Sequence, residues 1–469
     1  MRGLFAGFVV LLLAAPLAAD QRMNVRVLYC GDPGSKREAD YRSFLARHFS
    51  RVTVRDLREF KEADANGQDV VIVDWSIERD KKGDIDRRGY RTPRLSMKFD
   101  RPTILIAWAG GAVSNWQPNS LKLKIDFLCL CLTGPAHHLR LDHPLFHSPL
   151  QVDPKLEEVP TPADYPYQSI DPLGPTMTVW KLQTKNFPEI TPGLVSTLYG
   201  FTDSPDAEVI AQGFAMKGPD TVTLGRHANF FLWGFSAPPA DMTPAAQRLF
   251  VNVVCYMRQF DGQTPLVRSE SKSREWALRN AAAPRYLSEE YKERESRWLQ
   301  AMYKQRPEWI PKEYKENLDA YIAKSVQQTQ ASEKEWMEDV LPEPLRKKFG
   351  TDGEKYLSYY RENFEYLRAV NVHPPRFEID EDAKAVGPSN RSVEMLARCV
   401  RRLEQKQQPE LAFRLLKRYT QEKFDTAGQW RAWLDANRGR LFFSDVGGYK
   451  FFVAPTEKPG RTTTLSTRK

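Results

Sequence analysis

The chain has 469 residues, 41% of them hydrophobic and 28% charged, with a formal net charge of +9. That length predicts two or three globular units, and the composition excludes a disordered or fibrous chain. Lys and Arg are interspersed with acids rather than gathered on one face, which argues against nucleic-acid binding; five cysteines in so long a chain exclude a disulfide scaffold.

The chain opens on Met1-Arg2-Gly3, an apolar run Leu4–Leu13, and the small-residue stretch Ala14-Ala15-Pro16-Leu17-Ala18-Ala19. A positive start, a short apolar core and a small-residue end are the parts of a secretory signal, so residues 1–19 are expected to be removed near Ala19. The mature protein is then periplasmic or secreted. The run is too short to span a bilayer, and no later segment is apolar enough to do so.

Asn24–Cys30 reads as a strand, Arg37–Phe49 as a helix, and Val52–Val54 as a short strand. Val70–Val73 and Pro102–Trp108 have the continuous apolar content of strands buried on both faces. This alternation predicts an α/β fold with a mostly parallel sheet. Leu121–Phe127 alternates and runs into Leu128–Leu132, predicting one more strand, and Asp142–Pro175 reads as a long loop. Strands are expected near Thr176–Gln183, Leu194–Tyr199, Glu208–Phe214, Thr221–Leu224 and Asn229–Phe235. A helix capped by Thr243 and started by Pro244 follows, with Leu249, Phe250, Val253, Val254 and Met257 on one stripe.

Strands are expected to vanish after Val267, where aromatic and charged helical segments are broken by prolines. The aromatics there read as packing between helices. A last unit starts near Ser392, carries helices, and ends in a hairpin of Leu441–Phe443 with Tyr449–Val453. The acids Glu378, Asp380, Glu381 and Asp382 lack the ladder and glycine of a calcium loop and read as a charged helix start. The expected boundaries are 20–264 for the α/β unit, 265–388 for a helical region, 389–454 for a small helical unit ending in a β-hairpin, and 455–469 for a disordered tail.

The stretches VRVLYCGD, VVIVDW, PTILIAWAGG and GRHANFFLWGF…MTPAAQRLFVNVVCYM resemble the class I glutamine amidotransferase-like fold, and in particular its trehalose-utilisation-like (ThuA-like) branch. The resemblance runs from about Asn24 to Phe260 and implies a flavodoxin-like sheet. The end of the chain, Leu415–Phe451, is similar to that of large exported bacterial proteins. An amidotransferase of this fold needs a cysteine on the strand-to-helix turn, and Ile106-Ala107-Trp108-Ala109-Gly110 supplies none. The last strand, Phe231–Phe235, offers no His-Glu pair. Glutaminase chemistry is therefore not expected, nor is a cofactor.

Open α/β sheets bind ligands at the carboxyl ends of their strands. On that ground Asp32, Ser35, Gly110 and Gly111 are candidate ligand-binding residues, joined by Arg226 and His227 in the connection between two strands. A plain hairpin turn with Arg226 and His227 solvated is the competing reading. The ligand would be a small molecule, such as a carbohydrate, or a protein partner. An alternative is a hydrolase or metal-dependent enzyme using the His-rich loop 137–147, with Cys129, Cys131, His143 and His147 as ligands beside His137 and His138. Against it, Pro144 disrupts the helix that would align His143 with His147, and the two cysteines read as core residues of an apolar strand. A structural, envelope-associated interaction protein is the third reading.

Overall fold

The computed structural model of the chain describes residues 22–75, 95–114, 120–125, 129–186, 189–216, 218–305, 307 and 310–456. The expected signal segment, and the tail from residue 457, lie outside them.

A 12-stranded sheet organises the first half of the chain. Its strands are β1 (Met23–Gly31), β2 (Phe49–Asp56), β3 (Val70–Trp75), β4 (Thr103–Ala107), β5 (Cys129–His137), β6 (Leu156–Pro160), β7 (Thr176–Trp180), β8 (Gly193–Thr197), β9 (Ala207–Ala215), β10 (Thr221–Val222), β11 (Leu224–His227) and β12 (Phe230–Trp233). The main path runs β10-β8-β5-β9-β11-β12-β4-β3-β1-β2, with β7 pairing with both β5 and β6. The five strands β2-β1-β3-β4-β12 are mutually parallel. From β11 outward every pairing is antiparallel.

The parallel strands are buried on both faces. Val70 and Ile72 join one core with Tyr41, Phe44, Leu249, Phe250 and Val253, whereas Val71 and Val73 join a second with Leu57, Phe60, Phe99 and Ile125. The period of two sends alternate residues to opposite sides, so a run such as VVIV must be apolar throughout. The first core is roofed by the helices Lys36–His48 and Pro244–Met257. Thr243 caps the latter by accepting from the Ala246 amide, as its place before Pro244 predicts.

Several elements differ from expectation. Residues 121–125 are not a strand, residues 126–128 of the expected strand lie outside the described ones, and Cys129–His137 form β5. The apolar members of the alternating stretch, Leu121, Leu123 and Ile125, instead cover the second core from a loop. The expected loop 142–175 contains β6 and a short helix, Tyr165–Gln168.

Strands also do not vanish after residue 267. The helices Glu275–Ala281, Glu289–Gln305, Leu318–Val340, Glu343–Phe349 and Gly353–Glu362 lead into a hairpin, β13 (Leu367–Val372) with β14 (Pro375–Ile379). Helices Val393–Glu404, Pro409–Tyr419 and Ala427–Asn437 and the hairpin β15 (Leu441–Ser444) with β16 (Lys450–Val453) then close around their own core, centred on Leu396, Val400, Leu415, Tyr419 and Trp430. Among the described residues no helix is long and apolar enough to cross a membrane.

Candidate functional site

Parallel strands bring their carboxyl ends to one edge. There β1 ends at Gly31, β3 at Trp75 and β4 at Ala107, with Trp75 opposite Ala107 and Trp233 of β12 opposite Ile106. Asp32 and Ser35 follow β1 on this edge. Ser35 caps the helix Lys36–His48, its Oγ accepting from the Glu38 amide at 3.0 Å, and Asp32 is exposed and accepts from Arg58 at 3.0 Å. Gly110 and Gly111 lie in the helix Trp108–Ser114 that leaves β4. Both are buried, and a Cβ on Gly110 would sit 3.0 Å from Leu232. Gly110 thus serves close packing of helix on strand.

Arg226 and His227 are elsewhere. β11 runs antiparallel to β12, so the turn at Ala228-Asn229 meets the amino end of β4, where the Thr103 amide donates to Asn229. They lie at the opposite edge of the sheet from Asp32 and Ser35. Neither is solvated, with 2% and 0% exposure respectively. Arg226 donates to Glu208 at 2.7 Å and lies 3.8 Å over the Phe260 ring. His227 Nδ1 accepts from the Lys124 amide, and burial lowers the ring's pKa to about 3 despite Asp206 nearby. Both are internal supports of a strand, and the six candidates do not form one site.

The carboxyl edge holds a different cluster that single charges in the sequence did not reveal. Asp74, 3% exposed near the end of β3, receives the Tyr29 hydroxyl at 2.6 Å and Arg37 twice, at 2.7 and 2.8 Å. Arg37 also donates to the carbonyl of Ser236 at 2.6 Å. Burial, reinforced by Asp74, drives the Tyr29 hydroxyl far above its ordinary pKa. Burial alone would lower that of Arg37, but Asp74 more than reverses it. Tyr29 thus stays protonated and Arg37 charged, and the cluster pins the first helix to β1, β3 and the segment after β12. The signal for it was the lone acid ending an otherwise apolar run, VVIVDW.

One position on this edge has unusual backbone. Ala107, where β4 turns into its helix, has φ +44°, a conformation that costs a residue with a Cβ about 1–2 kcal/mol. Sharp strand-to-helix turns of this kind hold catalytic nucleophiles clear of a sheet. Here the residue is 4% exposed and carries only a methyl group.

The His-rich loop does not converge. His143 is buried, its Nδ1 accepting from the Leu145 amide and its Nε2 lying 3.4 Å from Glu208. His147 turns outward to the Leu141 carbonyl. His137 and His138 pair with each other at 2.6 Å, and burial lowers the pKa of His137 to about 3. Cys131 is a fully buried core residue of β5, as expected, and is disulfide-bonded, which removes the thiolate a metal would need; the side chain of Cys129 lies outside the described ones. Among the described residues no group of three His, Cys, Asp or Glu side chains is placed to hold a metal ion.

Of the acidic residues, Asp380, Glu381 and Asp382 sit as expected at a helix start, whereas Glu378 belongs to β14, opposite Arg368. Asp380 caps Glu381–Val386, and Arg414 and Arg418 pair with Asp382 and Asp380. A separate cleft lies between Lys124, Tyr199, Ser271, Lys272, Trp276 and Val446, but it encloses only about 20 Å³, room for one or two waters.

Comparison with known protein families, with curated proteins and with solved structures finds no match to this chain.

Proposed function

We propose that the chain is an exported, non-enzymatic binding protein built on a catalytically degenerate amidotransferase-like sheet of the ThuA-like kind. The strand order β2-β1-β3-β4-β12 supports this reading, because it follows the flavodoxin-like doubly wound order 2-1-3-4-5. The observation that carries it is Ala107, which has the strained backbone of a nucleophile turn and no nucleophile. Ligand recognition is assigned to the exposed rim of the carboxyl edge around Asp32 and Ser35, for a carbohydrate or a protein partner.

Three measurements test it. Purified mature protein should release no ammonia from glutamine; turnover abolished by thiol alkylation would end the degenerate reading. Calorimetric titration with trehalose, maltose and chitobiose should give saturable binding to at least one. That binding should disappear in Asp32→Arg, which leaves the core intact. Binding untouched by Asp32→Arg would move the site elsewhere, and no saccharide binding would leave the protein partner, sought by cross-linking from position 32. Recovery from the envelope or medium with an amino terminus near Asp20 tests export.

A further inference from the structure

The turn between β15 and β16 lies at a seam of three parts of the chain. Asp203, in the loop between β8 and β9, pairs with Lys124 and accepts from the Ser444 hydroxyl at 2.8 Å and the Val446 amide at 2.9 Å. The Val446 carbonyl accepts from both Glu270 and Ser271 amides, each at 2.9 Å. Arg274 is fully buried and gives Asp445 three hydrogen bonds, two from its guanidinium at 2.8 Å and one from its amide at 3.0 Å. Two further guanidinium donors go to the Phe364 carbonyl and Asn390. Val446 fits against Gly200, which has φ +69° and where a Cβ would stand 2.5 Å from a Val446 methyl.

These contacts are hydrogen bonds joined by a few apolar ones, Val446 against Gly200, Val267 against Gly447, and the Phe443 and Tyr449 rings beside the Arg274 guanidinium, between regions that each have a separate apolar core. A seam of this kind yields without either core being opened, because water can replace its hydrogen bonds, and local openings fall at the junctions of such units. Each side nevertheless depends on the other: Arg274 is left as a lone buried charge when Asp445 departs, which is a strongly unfavourable state.

We infer that Ser444–Gly448 is a clasp, which opens as one unit and releases the C-terminal helical unit from the sheet while both stay folded. Hydrogen exchange followed by mass spectrometry on the full chain tests this. In Asp445→Asn, amides of residues 269–274 and 444–449 should exchange together, ~100-fold or more faster than in the wild type. Amides of β3, β4 and the helix Val393–Glu404 should keep their wild-type rates. Loss of protection in all of them at once would mean global unfolding and overturn the clasp, as would unchanged exchange at the turn.

Should Asp445→Asn not fold, the paired change Arg274→Met with Asp445→Leu removes both charges together. It should fold with the turn protected at least as well as in the wild type, since an apolar pair can replace a buried ion pair. A turn that exchanges faster in a folded double variant would overturn the inference.

Discussion

Ala107 holds a left-handed backbone at φ +44° inside the packed sheet, and a glycine there would lose only the burial of one methyl group in the first core. Ala107→Gly should therefore be neutral or stabilising by up to ~1 kcal/mol, strain relief set against the greater freedom glycine has when unfolded. Ala107→Val should cost more than ~2 kcal/mol, because a β-branched residue resists this region. Urea denaturation of the three proteins checks the order, and a stabilising valine would remove the claim of strain. The sequence identified this position by what it lacks, since a strand-to-helix turn without Cys can be seen in Ile106-Ala107-Trp108. It could not show the backbone angle. It also misplaced Arg226 and His227, because a charged pair before Ala-Asn looks like a solvated turn when its partners, Glu208 and Asp206, are not adjacent in the chain.

Elements were legible where burial is two-sided. VVIV and TILIA could only be strands inside a sheet, and the Thr243-Pro244 start marked its helix to the residue. The antiparallel half was harder to read. LKLKIDF alternates like a strand, yet its residues 121–125 cover the second core as a loop, and in β6 the largest apolar side chain, Leu156, is exposed. What joins elements was also hidden, as the Asp74 cluster shows. Asp74→Asn keeps the shape but removes the charge that Arg37 needs, and Arg37 is only 15% exposed at its side chain. A loss of ~2–4 kcal/mol is expected, at the lower end because some solvent reaches the guanidinium. Arg37→Met with Asp74→Leu should recover much of it. A single variant within ~0.5 kcal/mol of wild type, by chemical denaturation, would show that the cluster does not hold the helix in place.

The whole molecule should be acid-sensitive for reasons set by its interior. His137 and His227 are held neutral by burial, each with its pKa lowered to about 3. In the unfolded chain a histidine titrates near ~6.5. A depressed histidine pKa means that protons favour the unfolded state, so stability is fully present above pH ~6.5 and falls as pH drops from there towards 3. Glu208 adds to the loss at lower pH. Burial would raise its pKa, but His143 and Arg226 together pull it well below the ordinary carboxylate value, so its contribution disappears as it protonates. Asp203 and Glu275 work the other way, because burial raises both and protonation relieves part of that cost. Between pH 6 and 5 the two histidines take up protons on unfolding, and the raised carboxyls of Asp203 and Glu275 offset part of that effect. There the unfolding free energy should fall by up to ~2 kcal/mol per pH unit, below the limit set by two extra protons bound on unfolding because the raised carboxyls oppose it. Urea melts at half-unit pH steps would measure that slope. His227→Gln should reduce it by about half whatever its effect on stability at pH 7.5. A flat profile from pH 7 to 5, or a slope untouched by His227→Gln, would mean that these rings are reached by water and do not govern the acid response.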